Sequence, residues 1–500
     1  MLYPFQNETR ISNRGGSLFL YVTRAIWKAQ RSRLCFGMGI RLNSLLLLCV
    51  CGFLTGCMAE MAAPEPEPTP VYRDVAAEVD PVIPVLPPKP IYRELSGYDT
   101  VDLRPFLAEI PEKPFSKTQQ RVMRETYQKK WFSPWTEKIQ PPKSELSFGL
   151  GYIAKGVFYR ENKRLADASF LKKIETQMNL EHFPNTRSAG VAVRYTHLRY
   201  IPDHGVLFET PDDFPFDMLQ VTSIGPGTPL QLWHMSRDGL WVYVVSPFAS
   251  GWVPVMDVAT MTSKSTEWAM SRPMYAVVRD DVAVVDKATR RAIVAVAIGQ
   301  HFPSVSNQKD QIYVPVWQPG GQAKWVRAVA PPGALRSFGE GWSQTVVAGL
   351  TAQVLGELYG WGGMFFHRDC SAMIRDMVAP FGIWLPRNSS AQAKQGGRFV
   401  SLSGMDAATK KRIILSQGKP FLTLLWLKGH IMVYVGSPYG EPMALHNIWA
   451  VRVRDPHGQV QKVVIGRAVI TDLEPGKSLP DFDSSQSLLN RIEGLTFLGE

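Results

Sequence analysis

The chain is poor in cysteine and histidine, and it has no long apolar run. Five cysteines and nine histidines in 500 residues exclude a disulfide-stapled scaffold, which concentrates many cysteines in a short chain. Outside the signal region there is no pair of closely spaced cysteines, and there is no His-Glu-x-x-His, so no zinc framework is signalled, and neither a metal nor any other cofactor is expected. The longest apolar stretch, Leu45 to Leu54, is too short to span a bilayer well. A basic run or stripe is also missing. The formal charge of +11 is misleading, because residues 1–57 hold seven basic residues against Glu8 and leave +5 for the remaining 443. That mild excess suits contact with anionic envelope polymers and gives no footprint for a nucleic acid. With 45% hydrophobic and 20% charged residues, 40 Gly and 38 Pro, collagen, coiled coil and wholesale disorder are excluded. The length allows roughly three domains.

What is present begins with an export signal over 1–57. Arg41 precedes the apolar stretch, and Thr55-Gly56-Cys57 closes it with small residues, the order of a secretory signal. Leu54-Thr-Gly-Cys57 resembles the bacterial lipobox, which implies a lipid on Cys57 and makes Met38 the expected translation start. In the lipoproteins it resembles, an aspartate just after the cysteine favours inner-membrane retention; Met58 stands there, so the resemblance implies an exported lipoprotein on the outer membrane, facing the periplasm. Cys35, Cys49 and Cys51 then leave with the signal, and Cys370 is the only free thiol of the exported chain. A lone exported thiol is either a buried neutral residue or a nucleophile.

Residues 58–90 form a Pro-rich tether, with nine prolines between 64 and 90, extended and semi-rigid. A helical N-terminal domain is expected over 91–184, with Ser116 as N-cap of a run to Lys130 and Trp131-Phe-Ser-Pro-Trp135 as packing aromatics at its end. Short strands at 219–224, 230–233, 241–245 and 251–253, separated by Gly225-Pro-Gly227 and Asp238-Gly239, give a small β-barrel over 185–262. Its Ser-x-Asp-Gly-x-Trp and Gly-Trp-Val strings resemble bacterial SH3-like wall-binding domains. A weaker repeat over 263–330 carries strands at 282–285, 292–298 and 312–317. The two barrels either recognise peptidoglycan or only buttress the domain C-terminal to them; fold alone does not decide.

The chemistry lies in 331–475, with a C-terminal tail over 476–500. Glycines 360, 362 and 363 suit a loop that brings backbone close to a ligand. Ala372, Met373, Ile374, Met377 and Val378 follow Cys370 at helical spacing. Cys370 therefore opens a buried helix, whose dipole and N–H groups are expected to lower its pKa. His430 starts a strand after the Lys428-Gly429 turn, and His446 lies on the next one. Neighbouring antiparallel strands can bring the two together, with His430 as base and His446 fixing its tautomer. His367 is expected to line the pocket and His457 to sit in a solvated turn, while Arg387 and Asn388 either close the pocket or pack at a helix end. A zinc site from Cys370, His430 and His446 lacks the ligand spacing.

Tyr359-Gly-Trp-Gly-Gly, Arg368-Asp-Cys-Ser, Leu385-Pro-Arg-Asn-Ser, Gly429-His-Ile-Met-Val-Tyr-Val-Gly and Leu445-His-Asn resemble the NlpC-type cell-wall cysteine peptidases. Trp131-Phe-Ser-Pro-Trp and the paired barrels resemble the subfamily with a helical N-terminal domain and tandem SH3-like domains. The resemblance implies a multidomain α+β protein whose papain-like catalytic domain follows those modules. It implies Cys370 as nucleophile, His430 as base, His446 as its partner, Tyr359 beside the oxyanion, and Asp369 and Ser371 in stem-peptide binding. The implied reaction is hydrolysis of the γ-D-glutamyl–diaminopimelate bond of peptidoglycan. Arg368 and Ala372 depart from the family's common apolar residue and glycine. An amidase or acyltransferase on the same fold, or a wall-binding scaffold, are the alternative readings, and the oligomeric state is left open.

Overall fold

In the computed structural model, residues 93–95, 97, 101–137 and 139–500 are described. The signal, Cys57 and the Pro-rich tether lie outside them. Among the described residues no helix is long and apolar enough to cross a membrane.

Alternation of apolar residues with turn residues builds two β units. The first is a seven-stranded antiparallel sheet within residues 188–260, ordered Val258–Thr260, Ser188–Ala192, Pro229–Met235, Trp241–Val245, Ser250–Pro254, Thr196–Arg199, Gln220–Ile224. Leu198, Leu230, Val244 and Val253 fill its interior. The second unit pairs a four-stranded sheet (Ala292–Val296, Val282–Asp286, Ala323–Val329, Gln311–Trp317) with a three-stranded one (His301–Pro303, Met274–Val277, Leu335–Ser337). It runs past the expected boundary at 330, because Leu335–Ser337 pairs with Met274–Val277.

The catalytic region is a seven-stranded sheet: β1 (Arg93–Glu94), β2 (Gly397–Ser401), β3 (Thr423–Leu427), β4 (His430–Gly436), β5 (Met443–Arg454), β6 (Val460–Asp472) and β7 (Ile492–Leu498), in the order β1-β6-β5-β4-β3-β7-β2. Helices Gln344–Val354 and Cys370–Val378 cover one face, where Met373 and Ile374 pack with Ile431 and Val433 in a shared core. One expectation fails here. Residues 476–500 are not a tail, since β7 sits between β3 and β2 with Ile492, Leu495 and Phe497 buried. The polar stretch before it hid a strand that is apolar on both faces.

The helical segment forms as expected. Helix Lys117–Trp131 does start at Ser116, whose side chain and that of Gln119 form a reciprocal capping box. The segment has no core of its own, however. Phe106, Ile110 and Phe115 enter the core around Cys370. Tyr127, Trp131 and Trp135 pack between both β units and Ala379, while Ile153, Ile174 and Met178 cover Trp241 and Trp252 of the first unit. Pro134, Pro141 and Pro142 break the segment into short helices, so each piece buries its apolar face against a different neighbour.

Candidate active site

Cys370 is the first residue of helix Cys370–Val378, and it is a free, buried thiol. Asp369 caps that helix, its Oδ1 accepting the Ala372 N–H at 2.8 Å. The guanidinium of Arg387 grips the same carboxylate in a fork, NH1 to Oδ1 at 3.0 Å and NH2 to Oδ2 at 2.6 Å. Ser371 Oγ donates to Asp369 Oδ1 at 3.0 Å and accepts from Arg387 NH1 at 2.9 Å. Arg387 Nε also donates to Thr222 Oγ1 of the first β unit at 2.5 Å. Asp369 and Ser371 thus direct their polar atoms at protein partners, and the cap is anchored to the neighbouring unit.

The two histidines meet as the sequence suggested, by a slightly different route. Register pairs Val433 with Leu445, so His430 and His446 are diagonal neighbours on β4 and β5 and not directly opposite. His430 Nε2 lies 2.9 Å from His446 Nδ1, and His446 Nε2 lies 3.1 Å from Thr471 Oγ1. The Ile431 N–H favours the charged form of the Cys370 thiol, and both residues belong to one core at the start of β4.

The electrostatics overturn the expected thiolate. Burial pushes the Cys370 thiol up to about 12 and the Asp369 charge adds to it, outweighing the Ile431 and Ser371 N–H groups and the Arg387 cation. Burial, then the Arg491 cation, push His430 down to about 3 against the pull of Asp369. His446 is held well below the usual histidine range by burial and by His430. At rest the site therefore holds a neutral thiol and two neutral imidazoles. The helix N-terminus is a real influence, but desolvation is larger. Burial first, then Cys370 and Asp369, push the Tyr359 phenol well above its ordinary value, so it keeps its proton and can donate.

The glycine loop docks on the first β unit. Gly362 O accepts from Gln220 Nε2 at 3.0 Å, and Trp361 Nε1 donates to Asp217 O at 3.1 Å. A Cβ on Gly363, whose φ is +83°, would meet Ser223 Oγ at 2.3 Å and Ser223 N at 2.7 Å. The loop brings its backbone against the first β unit. Phe366, beside it, stacks on His197 with ring centroids 4.6 Å apart.

His367 lines a cavity of about 70 Å³ shared with Tyr195, Gln300 and Arg375, and His457 is exposed in a turn closed by Asp455. Among the described residues no group of three or more His, Cys, Asp or Glu is placed to hold a metal. Arg368 explains its departure from the common pattern, binding Asp280 of the second β unit at 2.7 Å and both Glu357 and Asp376 at 2.9 Å. Asn447 Nδ2 braces the same stretch by donating to Arg368 O at 2.9 Å. Thr222 and Thr471 were not legible as site residues, since each joins through a contact between distant segments.

Comparison with known proteins fits this arrangement. Residues 46–183 match the model of the NLPC_P60 stabilising domain, residues 207–254 an SH3 domain of SH3b1 type, and residues 356–466 the NlpC/P60 family. A solved NlpC/P60 endopeptidase from Photobacterium damselae subsp. piscicida superposes with a TM-score of 0.71 at 21% identity, covering 82% of this chain and 98% of that one. An NlpC/P60 family protein from Bacillus cereus gives a TM-score of 0.41 at 15% identity over 63% of this chain and all of its own. No curated protein is a significant match. The first of these likenesses is one of fold. A segment matching the NLPC_P60 stabilising domain, an SH3b-type unit and a segment matching the NlpC/P60 family succeed one another in this order along the chain.

Proposed function

We propose that this protein is a cysteine D,L-endopeptidase that hydrolyses peptidoglycan stem peptides at the γ-D-glutamyl–diaminopimelate bond. The carrying observation is the thiol at the start of helix Cys370–Val378 beside a hydrogen-bonded His430–His446 pair, with Nε2 of His430 at 2.9 Å from its partner. That bond leaves Nδ1 of His430 as the nitrogen for the thiol proton. Because thiol and imidazole rest neutral, the nucleophile forms as it attacks: sulfur adds to the substrate carbonyl while its proton passes to His430. The tetrahedral oxyanion is met by the Cys370 N–H and the Tyr359 hydroxyl, donors of a kind worth about 3 kcal/mol each. His430 returns the proton to the departing amine, leaving a thioester. It then takes a proton from water as the thioester is hydrolysed, and the thiol is restored. Asp369 and Ser371 serve stem-peptide binding by fixing the rim of the site through their bonds with Arg387.

The SH3b-type unit would bring the enzyme to the wall, and the lipobox at Cys57 with its Pro-rich tether would hold it to the outer membrane, facing the periplasm. Mass spectrometry of purified peptidoglycan, treated with wild type beside Cys370→Ser, tests the reading. Stem fragments cut after D-glutamate from wild type alone are the expected result. Fragments cut elsewhere would point to the amidase or acyltransferase chemistry on this fold, and full activity of Cys370→Ser would remove the thiol mechanism.

A further inference from the structure

Thr471 lies on β6 behind the histidine pair and is 1% exposed, so no solvent competes for its hydroxyl. Its Oγ1 stands 2.5 Å from the Asp472 carbonyl oxygen and 3.1 Å from His446 Nε2. A hydroxyl has one proton, and a carbonyl can only accept. The proton is therefore committed to Asp472, and a lone pair faces His446. Nε2 of His446 must then carry its hydrogen. A neutral imidazole has one N–H, so Nδ1 of His446 is an acceptor, and His430 Nε2, at 2.9 Å, must be the donor to it. The remaining nitrogen of His430, Nδ1, is bare.

We infer that Thr471 is a positioning residue that sets the tautomers of both histidines, so that His430 offers a lone pair and not an N–H to the Cys370 proton. The inference rests on the proposed catalytic reading. The reverse tautomers keep the same heavy-atom distances but put a hydrogen on His430 Nδ1, which leaves no base. Burial of His446, at 0% exposure, removes the water that would otherwise satisfy either tautomer. Packing alone does not require the hydroxyl, since valine has the same shape.

Two variants separate the roles. Thr471→Val removes the hydroxyl at constant volume and Thr471→Ser keeps it. On a soluble stem peptide containing the γ-D-glutamyl–diaminopimelate bond, Thr471→Val should lose about tenfold or more in kcat, the scale of one hydrogen bond, with KM unchanged within about twofold. Thr471→Ser should stay within about threefold of wild type. Nitrogen-15 NMR of the histidine rings should show Nε2–H on both His430 and His446 in wild type and Thr471→Ser, and Nδ1–H gaining population in Thr471→Val. Wild-type kcat in Thr471→Val, equal losses in Val and Ser, or Nδ1–H on His430 in wild type would overturn the inference. The ring spectra judge the tautomers even where Cys370→Ser retains activity, which is the separate result that defeats the catalytic reading.

Discussion

Replacing Arg387 by methionine should be costly in a way that depends on pH with an unusual sign. The aliphatic stem is kept while the guanidinium is lost, and Arg387 and Asp369 are only 9% and 8% exposed. The variant leaves a buried carboxylate without its two-pronged partner, a loss of about 3–5 kcal/mol for pairs of this kind. In wild type, burial works to raise the Asp369 carboxyl, but Arg387, the Ala372 N–H and Ser371 hold it below the usual value. A depressed carboxylate contributes stability that is present above its unfolded pKa near about 3.9 and is lost as pH falls through the folded value. Without Arg387, burial becomes the larger influence and the folded pKa rises above the unfolded one. The variant is then penalised at neutral pH and relieved as pH falls and Asp369 takes up a proton. Urea unfolding followed by tryptophan fluorescence should show the gap to wild type at its full size at pH 7 and smaller near pH 4.5. Adding Asp369→Asn should recover part of the loss, because a neutral amide needs no cation. A gap under about 1 kcal/mol at pH 7, or one that widens toward acid, would refute the reasoning.

Much of the site was written locally. The apolar spacing after Cys370 is enough to place it at a helix start, and the two consecutive strands that follow the Lys428-Gly429 turn are enough to set His430 near His446. What the sequence hides is which influence wins once those pieces pack. A helix N-terminus can be read one-dimensionally; the burial that raises the thiol comes from a core whose members, such as Phe106, Ile431 and Val433, lie far from Cys370 in sequence. Arg387 read equally as a pocket-closing or a helix-end residue, yet it joins the cap of the nucleophile's helix to Thr222, 165 positions upstream. The same blindness explains the N-terminal helices. Their periodicity shows that they have apolar faces, while the partner of each face is a tertiary fact, and three different cores share them. The C-terminal strand β7 escaped because sheet order does not follow chain order.

Arg368→Met should destabilise the chain by about 3 kcal/mol or more, because Asp280, Glu357 and Asp376 would face one another without their shared cation; a shift of the urea midpoint too small for about 1 kcal/mol would contradict this. Gly363→Ala should cost about 2 kcal/mol, since a Cβ must enter both the left-handed region and the Ser223 backbone, 2.7 Å away, and an unchanged midpoint would count against the docked loop. The pH profile tests the resting state of the site most directly. With the thiol near 12 and His430 near 3, neither group changes protonation in the free enzyme between about pH 5 and about pH 9. Since kcat/KM reports ionisations of the free enzyme, it should be flat across that range, and iodoacetamide should label Cys370 slowly at a rate that does not rise until well above pH 9. A pre-formed thiolate–imidazolium pair makes the opposite demand, a bell with limbs near about pH 4 and about pH 8.5 and fast labelling at neutral pH. Such a bell would mean that the helix N-terminus outweighs desolvation here, and that the proton leaves Cys370 before the substrate arrives.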